Sequence, residues 1–460
     1  MASLKEVKQT GRRIWWIAGI AIAAVALIIG VCIFIFKSGF FYKKVDTGAV
    51  SFRMTDQMNE VVNESEMQKG YLHTKLLAVL QENRGIGPWI LDWVVIPGTT
   101  RSVPGFQSGY VDTIDQILLL ETYIQDGKKS SAEELMKAID AQLADEKGYL
   151  TAYAKVSELG LDTGSEGNTY EENDIYEDRS FLLLEKAPAS LQASSLYLRV
   201  LMDFYDKWGS EKLLEKIESL AELLAKSEGM PAYRAENREA RATPIPVSEI
   251  LDVTPTPTPT PDPEKQEERK LVFQEGLELP GLDLLAMKRA SAIDPKYEKT
   301  YEEWLKLVKN GKVSDVLPLF AWMYVGDGNY TFYAGGDADV ELVPSLYVIL
   351  HLAEVGELDP DSYSWVQMQV LNTGFLYTKY NMFSGAATSE VEAYEAYPLV
   401  LELAVIKNDE ALFKAAYNAM MRQYATLSSS QILHTLYRDV ENSRIELRAR
   451  ENLLAEIFLR

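Results

Sequence analysis

The residues in this chain that could do chemistry are carboxylates. The sequence holds 68 Asp and Glu, 25 Tyr and eight Trp, against three His and one Cys. His73, His351 and His434 are scattered, and there is no P-loop, GxGxxG, HExxH or GxSxG motif, so neither a nucleophilic triad nor a phosphate-cradling loop is expected. One Cys and three His cannot build a Cys/His zinc centre, and neither metal nor cofactor is expected. The most informative stretch is Leu317–Glu354, LPLFAWMYVGDGNYTFYAGGDADVELVPSLYVILHLAE. An apolar helix containing Trp322 is expected to end near Tyr324. A Gly/Asp/Asn loop with Tyr330, Phe332 and Tyr333 follows. Asp337 and Asp339 then stand just before a helix expected from about Val340. Free N–H groups at a helix start favour the carboxylate anion, which suits a general base and equally suits a plain N-cap. In SGYVDTIDQILLL, from Ser108, Asp112 and Asp115 open another helix; each is a candidate acid or a solvent-facing side chain. Glu278, in a turn before Leu282, is a candidate substrate contact. The aromatic side chains are either sugar platforms or core. One carboxylic acid to protonate a leaving oxygen, a second carboxyl to activate water or attack, and aromatic faces for the rings are the equipment of glycoside hydrolysis. Glu390, Glu392 and Glu395 read as a solvated face at a helix start.

The elements that must position these groups are amphipathic helices in series. Apolar residues recur near the 3.6 period in Val111–Gln125, Leu191–Tyr205, Lys212–Leu224, Leu282–Ile293 and Tyr301–Val308. Val340–Leu352, Trp365–Tyr380, Val391–Ile406, Ala411–Tyr424 and Arg444–Phe458 continue the pattern. Short turns with Gly, Asp or Pro join many of them, and Trp89–Ile96 is the best strand candidate. The expected class is all-α, built of helical hairpins that form either a solenoid or a closed (α/α)6 toroid. No strict repeat of about 34 or 40 residues is visible, which disfavours a regular helical array. The tract Thr254–Pro263, TPTPTPTPDP, fixes φ and removes backbone donors at alternate positions, so it is extended. With its polar flanks it makes residues 232–268 either an interdomain linker or a surface insertion.

Charge divides the chain further. Seven basic residues against one acid make residues 1–44 +6, which leaves −28 for the remainder of a chain with a net charge of −22. The acidic body argues against non-specific nucleic-acid binding. The basic end brackets 23 uncharged, mainly apolar residues, Ile14–Phe36, long enough for a bilayer core of about 30 Å. Trp15 and Trp16 stand where amphipathic rings favour the headgroup zone. The run exceeds a signal-peptide core of about 7–15 residues and closes with Ile33–Phe36 rather than a small-residue cleavage site. The expectation is a cytoplasmic tail (1–13), a single transmembrane anchor (14–36) in the cell membrane and an extracellular domain (45–460). Cys32 lies within the span, so the exported part carries no thiol.

Leu317–Glu354 resembles the C-terminal half of glycoside hydrolase family 8, the inverting endoglucanase and bacterial cellulose-operon hydrolase group. That family carries an exit loop, a Tyr-Asp-Ala-x-Arg-x-Pro element and a helix. Pro344 matches the Pro, which aligns Asp339 with the family's catalytic base; Asp337-Ala338 is the other register. Upstream, GLELPGLDLLAMKRASAIDPKY (Gly276–Tyr297) is similar to a family segment of turn, helix and Asp-Pro, and Val391–Ile406 fits a further barrel helix. The resemblance spans roughly residues 271–424. It implies an (α/α)6 barrel acting on a β-linked exopolysaccharide, with two carboxyls about 6.5–9.5 Å apart. This sequence departs from the pattern at three points. Leu342 stands for the family's Arg. The turn expected to bring the general-acid Glu offers Asp112 and Asp115 instead. No acid lies near Ser190–Ser195, where a central Asp belongs. These departures keep open a non-catalytic domain that binds a glycan or a partner in an exopolysaccharide synthesis and export system.

Overall fold

The computed structural model describes residues 44–64, 88–97, 106–108, 110–156, 159, 187–227, 230–236, 270–331, 339–430, 432–440 and 444–459. The expected anchor (14–36), Asp337, Phe332, Tyr333 and the Pro/Thr tract lie outside them. No helix among the described residues is long and apolar enough to cross a membrane.

Twelve α-helices stand among those residues: α1 (Asp56–Asn63), α2 (Thr113–Gln125), α3 (Lys129–Gln142), α4 (Leu191–Trp208), α5 (Glu211–Ala225), α6 (Leu284–Ile293), α7 (Glu298–Asn310), α8 (Leu342–Glu354), α9 (Pro360–Met368), α10 (Ala396–Lys407), α11 (Glu410–Met421) and α12 (Ala449–Phe458). The even-numbered helices form a ring. Each of α2, α4, α6, α8, α10 and α12 packs on the next, and α12 packs back on α2. The two ends of the chain therefore close one toroid, and an open solenoid is excluded. The odd-numbered helices flank the ring. On α5 only Leu213, Ile217, Leu220, Ala221 and Leu224 are buried, a stripe at helical spacing. Inner helices are covered on nearly every side, as in Ala396–Leu401 of α10, so their sequences read as apolar runs. Side-chain caps start three of the six: Asp112 for α2, Ser190 for α4 and Asp283 for α6.

Short strands line the connections at the N-terminal ends of the inner helices, so the chain is mostly rather than wholly helical. β1 (Trp93–Pro97) pairs with β2 (Phe106–Gln107) and β12 (Arg444–Arg448), and β12 with β11 (Arg438–Val440). β3 (Tyr110–Asp112) pairs with β4 (Tyr153–Lys155), and β9 (Asp339–Glu341) with β10 (Lys379–Asn381). β5 (Met230–Glu236), β6 (Lys270–Glu278), β7 (Met323–Gly326) and β8 (Asn329–Thr331) form a fourth sheet. A Cβ on Gly276 would stand 2.4 Å from the Tyr324 carbonyl, so only glycine lets β6 and β7 approach.

Three helix expectations are corrected. Trp365–Tyr380 is α9, a π-turn (Gln369–Thr373), a left-handed Gly374 and then β10. Arg444–Phe458 is a strand running into a helix. The segment ending at Tyr324 is irregular chain leading into β7. Residues 232–236, within the expected insertion, belong to β5, whose ladder runs from Met230 opposite Gly276 to Glu236 opposite Lys270.

Candidate functional site

Four inner helices bring polar residues to one cluster at the mouth of the ring. Asp112 ends β3 and caps α2, its Oδ1 accepting from the Ile114 N–H at 2.9 Å. Arg450, in the first turn of α12, donates Nη2–H to the same oxygen at 2.6 Å and Nε–H to Asp115. Its Nη1 lies 3.7 Å from Glu395 Oε1, just before α10. Glu395 accepts from Tyr347 OH of α8 at 2.9 Å. Nearby, Tyr110 OH donates to Asp92 at 2.8 Å. Convergence of N-terminal helix ends also makes this mouth a favourable place for negative charge.

The cluster divides its carboxyls by environment. Asp112 and Glu395 each keep 23% of their side chains in contact with solvent, while Asp115 has none. Burial pushes the Asp115 carboxyl well up; the Arg450 guanidinium opposes this, and Asp112 and Asp92 add to the rise. Asp115 Oδ2 is buried without a hydrogen-bond partner. Asp115 is therefore not the solvent-facing residue that one reading expected; it is fully buried and accepts from Arg450 Nε–H. Glu395, expected on a solvated face, is instead half-buried and part of the cluster.

Asp339 stands on a separate two-stranded ribbon at the rim, opposite Asn381 in the β9–β10 pair, and is half-buried. It is not the cap of α8; that position belongs to Glu341, whose side chain makes no cap bond. Beside it, Asn381 Oδ1 accepts from the N–H groups of Phe383 and Ser384 at 3.0 and 3.1 Å. This turn presents Phe383 with 73% of its surface exposed. No sequence signal singled out Phe383. Its exposure follows from the turn that Asn381 makes, a local chemistry that periodicity does not register.

The aromatic expectations divide. Trp322 is 4% exposed, and its indole N–H donates to Glu278 at 2.9 Å. A ring so covered has no free face for a sugar, so Trp322 is corrected to the core and Glu278 to its partner. Tyr330 donates its OH to the Leu307 carbonyl at 2.9 Å and packs on Tyr324 at 5.2 Å, which leaves it half-buried on the β7–β8 hairpin.

A second polar cluster lies deeper in the ring. Arg199 of α4 donates to both oxygens of Asp283 at 2.5 and 2.7 Å and to both of Glu354 at 2.5 and 2.7 Å. Burial raises both carboxyls, but Arg199 and His351 outweigh it and hold them below the ordinary range. His351 Nε2 lies 3.1 Å from the Pro280 carbonyl oxygen, and its Nδ1 lies 3.3 Å from Arg199 Nη2. Asp283, His351 and Glu354 could converge on a metal by distance alone. The guanidinium already stands among them, so the donor set is that of a buried ion-pair network. Around it, burial and Glu354 push Glu402 up to about 8, and burial and Asp203 push Glu121 up to about 8.

No family model and no curated protein matches the sequence. Solved structures share its overall fold. An alpha-amylase from Clostridium perfringens is 17% identical, with 88% of this chain and 97% of that one covered at a TM-score of 0.57. A GH8 protein in complex with xylobiose from Teredinibacter turnerae is 8% identical over 88% and 95%, at 0.50. A cold-adapted family 8 xylanase is 10% identical over 90% and 95%, at 0.50. The fold is that of the family 8 glycoside hydrolases. Identities this low carry the barrel and not the catalytic residues.

Proposed function

We propose that this chain is a membrane-anchored glycoside hydrolase-type protein that acts on a polysaccharide outside the membrane. The observation that carries the reading is the closed (α/α)6 ring with carboxyls in unlike environments at its mouth: a partly exposed Asp112, a buried Asp115 and, on the adjoining rim, Asp339. Asp339, half-buried on the β9–β10 ribbon, serves as the base that activates water. Asp112 is the carboxyl on the other side of the mouth that can reach a leaving oxygen, with Arg450, Asp115 and Glu395 holding its position. Residues 14–36 span the bilayer and 45–460 lie outside, which suits an acidic, thiol-free body. The test is release of reducing ends from starch, xylan and β-1,4-glucan by the full chain in detergent. Asp339→Asn and Asp112→Asn should each cost about 10²–10⁴-fold, the range of general acid–base assistance.

The ion pairs on Asp112 favour a second reading. A carboxylate held at 2.6 Å by a guanidinium is a poor proton donor. In this reading the mouth holds a glycan without cleaving it, or docks a partner of an exopolysaccharide synthesis system. Polysaccharide binding with no product over long incubation selects it.

A further inference from the structure

The chain enters its barrel from the end opposite the mouth. Val45 N–H donates to Tyr205 OH at 2.9 Å, Lys44 Nζ donates to the Asp206 carbonyl, and Thr47 Oγ1 donates to the Asp206 carboxylate at 2.7 Å. Tyr205 and Asp206 lie in the last turn of α4. Arg289 of α6 donates to Thr47 at 3.3 Å, and binds Asp203 and Asp206 at 2.6 and 2.8 Å. Thr47 is 1% exposed, so this is a seated contact and not a passing one. A Cβ on Gly48, at φ +63°, would stand 3.2 Å from Cβ of Ala292, near the end of α6. The segment then reaches Thr55, which caps α1 and donates to Glu410 at 2.8 Å, at the start of α11. Arg289 apart, the partners sit where inner helices finish or outer helices begin. The segment is a strap across the base of the ring.

We infer that this strap seats the barrel base-down on the bilayer surface, with the mouth that holds Asp112 and Asp339 facing away from the lipid. The inference rests on the reading of residues 14–36 as a bilayer span. Lys44 follows Phe36 by eight residues, which reach at most about 28 Å when fully extended. Inner helices α2 and α4, of 13 and 18 residues, are about 20–27 Å long. Turning the mouth toward the lipid would lift Lys44 by that length and draw the connector almost straight, at a cost in chain entropy. Base-down seating leaves the connector slack. The barrel's polymer therefore reaches it from the side away from the membrane, and the headgroup surface is the partner of the base.

The test uses the full chain with Cys32→Ser, reconstituted into phosphatidylcholine vesicles that carry a headgroup-linked energy acceptor. A donor dye is placed at the exposed Lys212 position at the base (Lys212→Cys) or the exposed Leu427 position beyond α11 at the mouth (Leu427→Cys). Transfer from Lys212 should exceed that from Leu427 by about twofold, given an offset of one helix length. Equal transfer, or stronger transfer from Leu427, in chains that float with the vesicles overturns the seating alone. Chains that do not float overturn the anchor reading and the seating with it. Asp206→Ala with Thr47→Ala, checked for folding by circular dichroism, should shrink the difference between the two sites; a difference unchanged in that variant shows that the strap does not set it.

Discussion

Replacing Glu402 by Gln should make the protein more stable at neutral pH and leave it nearly unchanged in acid. Burial and the nearby Glu354 carboxylate raise Glu402 from 4.5 to about 8 in the folded chain. A folded-state pKa above the unfolded one adds stability that is fully present below about 4.5 and is lost as the pH rises through about 8. At pH 7 the gap leaves about 2.5 pH units over which the folded protein holds a proton that the unfolded chain releases. At about 1.4 kcal/mol per unit this is a loss of about 3 kcal/mol relative to pH 4.5, and less to the extent that Glu402 keeps a path to solvent. Gln is the neutral isostere of the protonated form and has no proton to release. Urea unfolding followed by tryptophan fluorescence from pH 5 to 8 measures the difference. Wild type should lose stability across that window, and Glu402→Gln should lose measurably less, so that the variant leads by about 1–3 kcal/mol at pH 7.5. Parallel curves for the two proteins would refute the claim that Glu402 is held protonated in the ring.

Further outcomes follow from the same structure. Arg199→Ala leaves Asp283 and Glu354 buried without their cation and should cost about 3–5 kcal/mol in urea unfolding at pH 7; a cost below 1 kcal/mol would mean that the network is wet. Arg450→Met should release Asp112 and lower polysaccharide affinity on a pull-down against insoluble polymer, while circular dichroism retains the helical signal. Phe383→Ala removes a ring that packs on little, so stability should move by less than about 0.5 kcal/mol. Its KM for long polymer should rise severalfold with kcat for short oligosaccharides unchanged; an unchanged KM would take the rim turn out of the binding surface.

The ring was legible because its inner helices are apolar on all sides and its outer ones carry single stripes, both of which show in the 3.6-residue pattern. Closure was not, because no local signal says that α12 at residue 449 meets α2 at residue 113. Strands of three to five residues such as β9 and β12 were absorbed into neighbouring helices, since too few alternations separate period 2 from period 3.6. Asp112 and Asp339 stand out in the sequence through their place before helix starts; the structure puts Asp112 at the start of α2 and Asp339 in β9, and their roles belong to the proposal. Arg450 and Tyr347 were missed, because each acquires its role from a helix far away in sequence. Trp322 misled for the reverse reason, since an aromatic beside a polar loop looks the same in sequence whether it faces a cleft or, as here, donates to Glu278 from the core. Glu121 and Glu402 look like surface carboxylates on helices, and only the closed ring makes them titrate high.

The reading of a hydrolytic mouth is tested most directly by product release from starch, xylan and β-1,4-glucan, measured side by side for the full-length protein and for Asp339→Asn. New reducing ends from at least one polymer, reduced by at least about 100-fold in the variant with its urea midpoint unchanged, are the predicted result. Equal turnover by both proteins would contradict the assignment of Asp339, and binding to every polymer with no turnover by either would establish the mouth as a glycan-holding site.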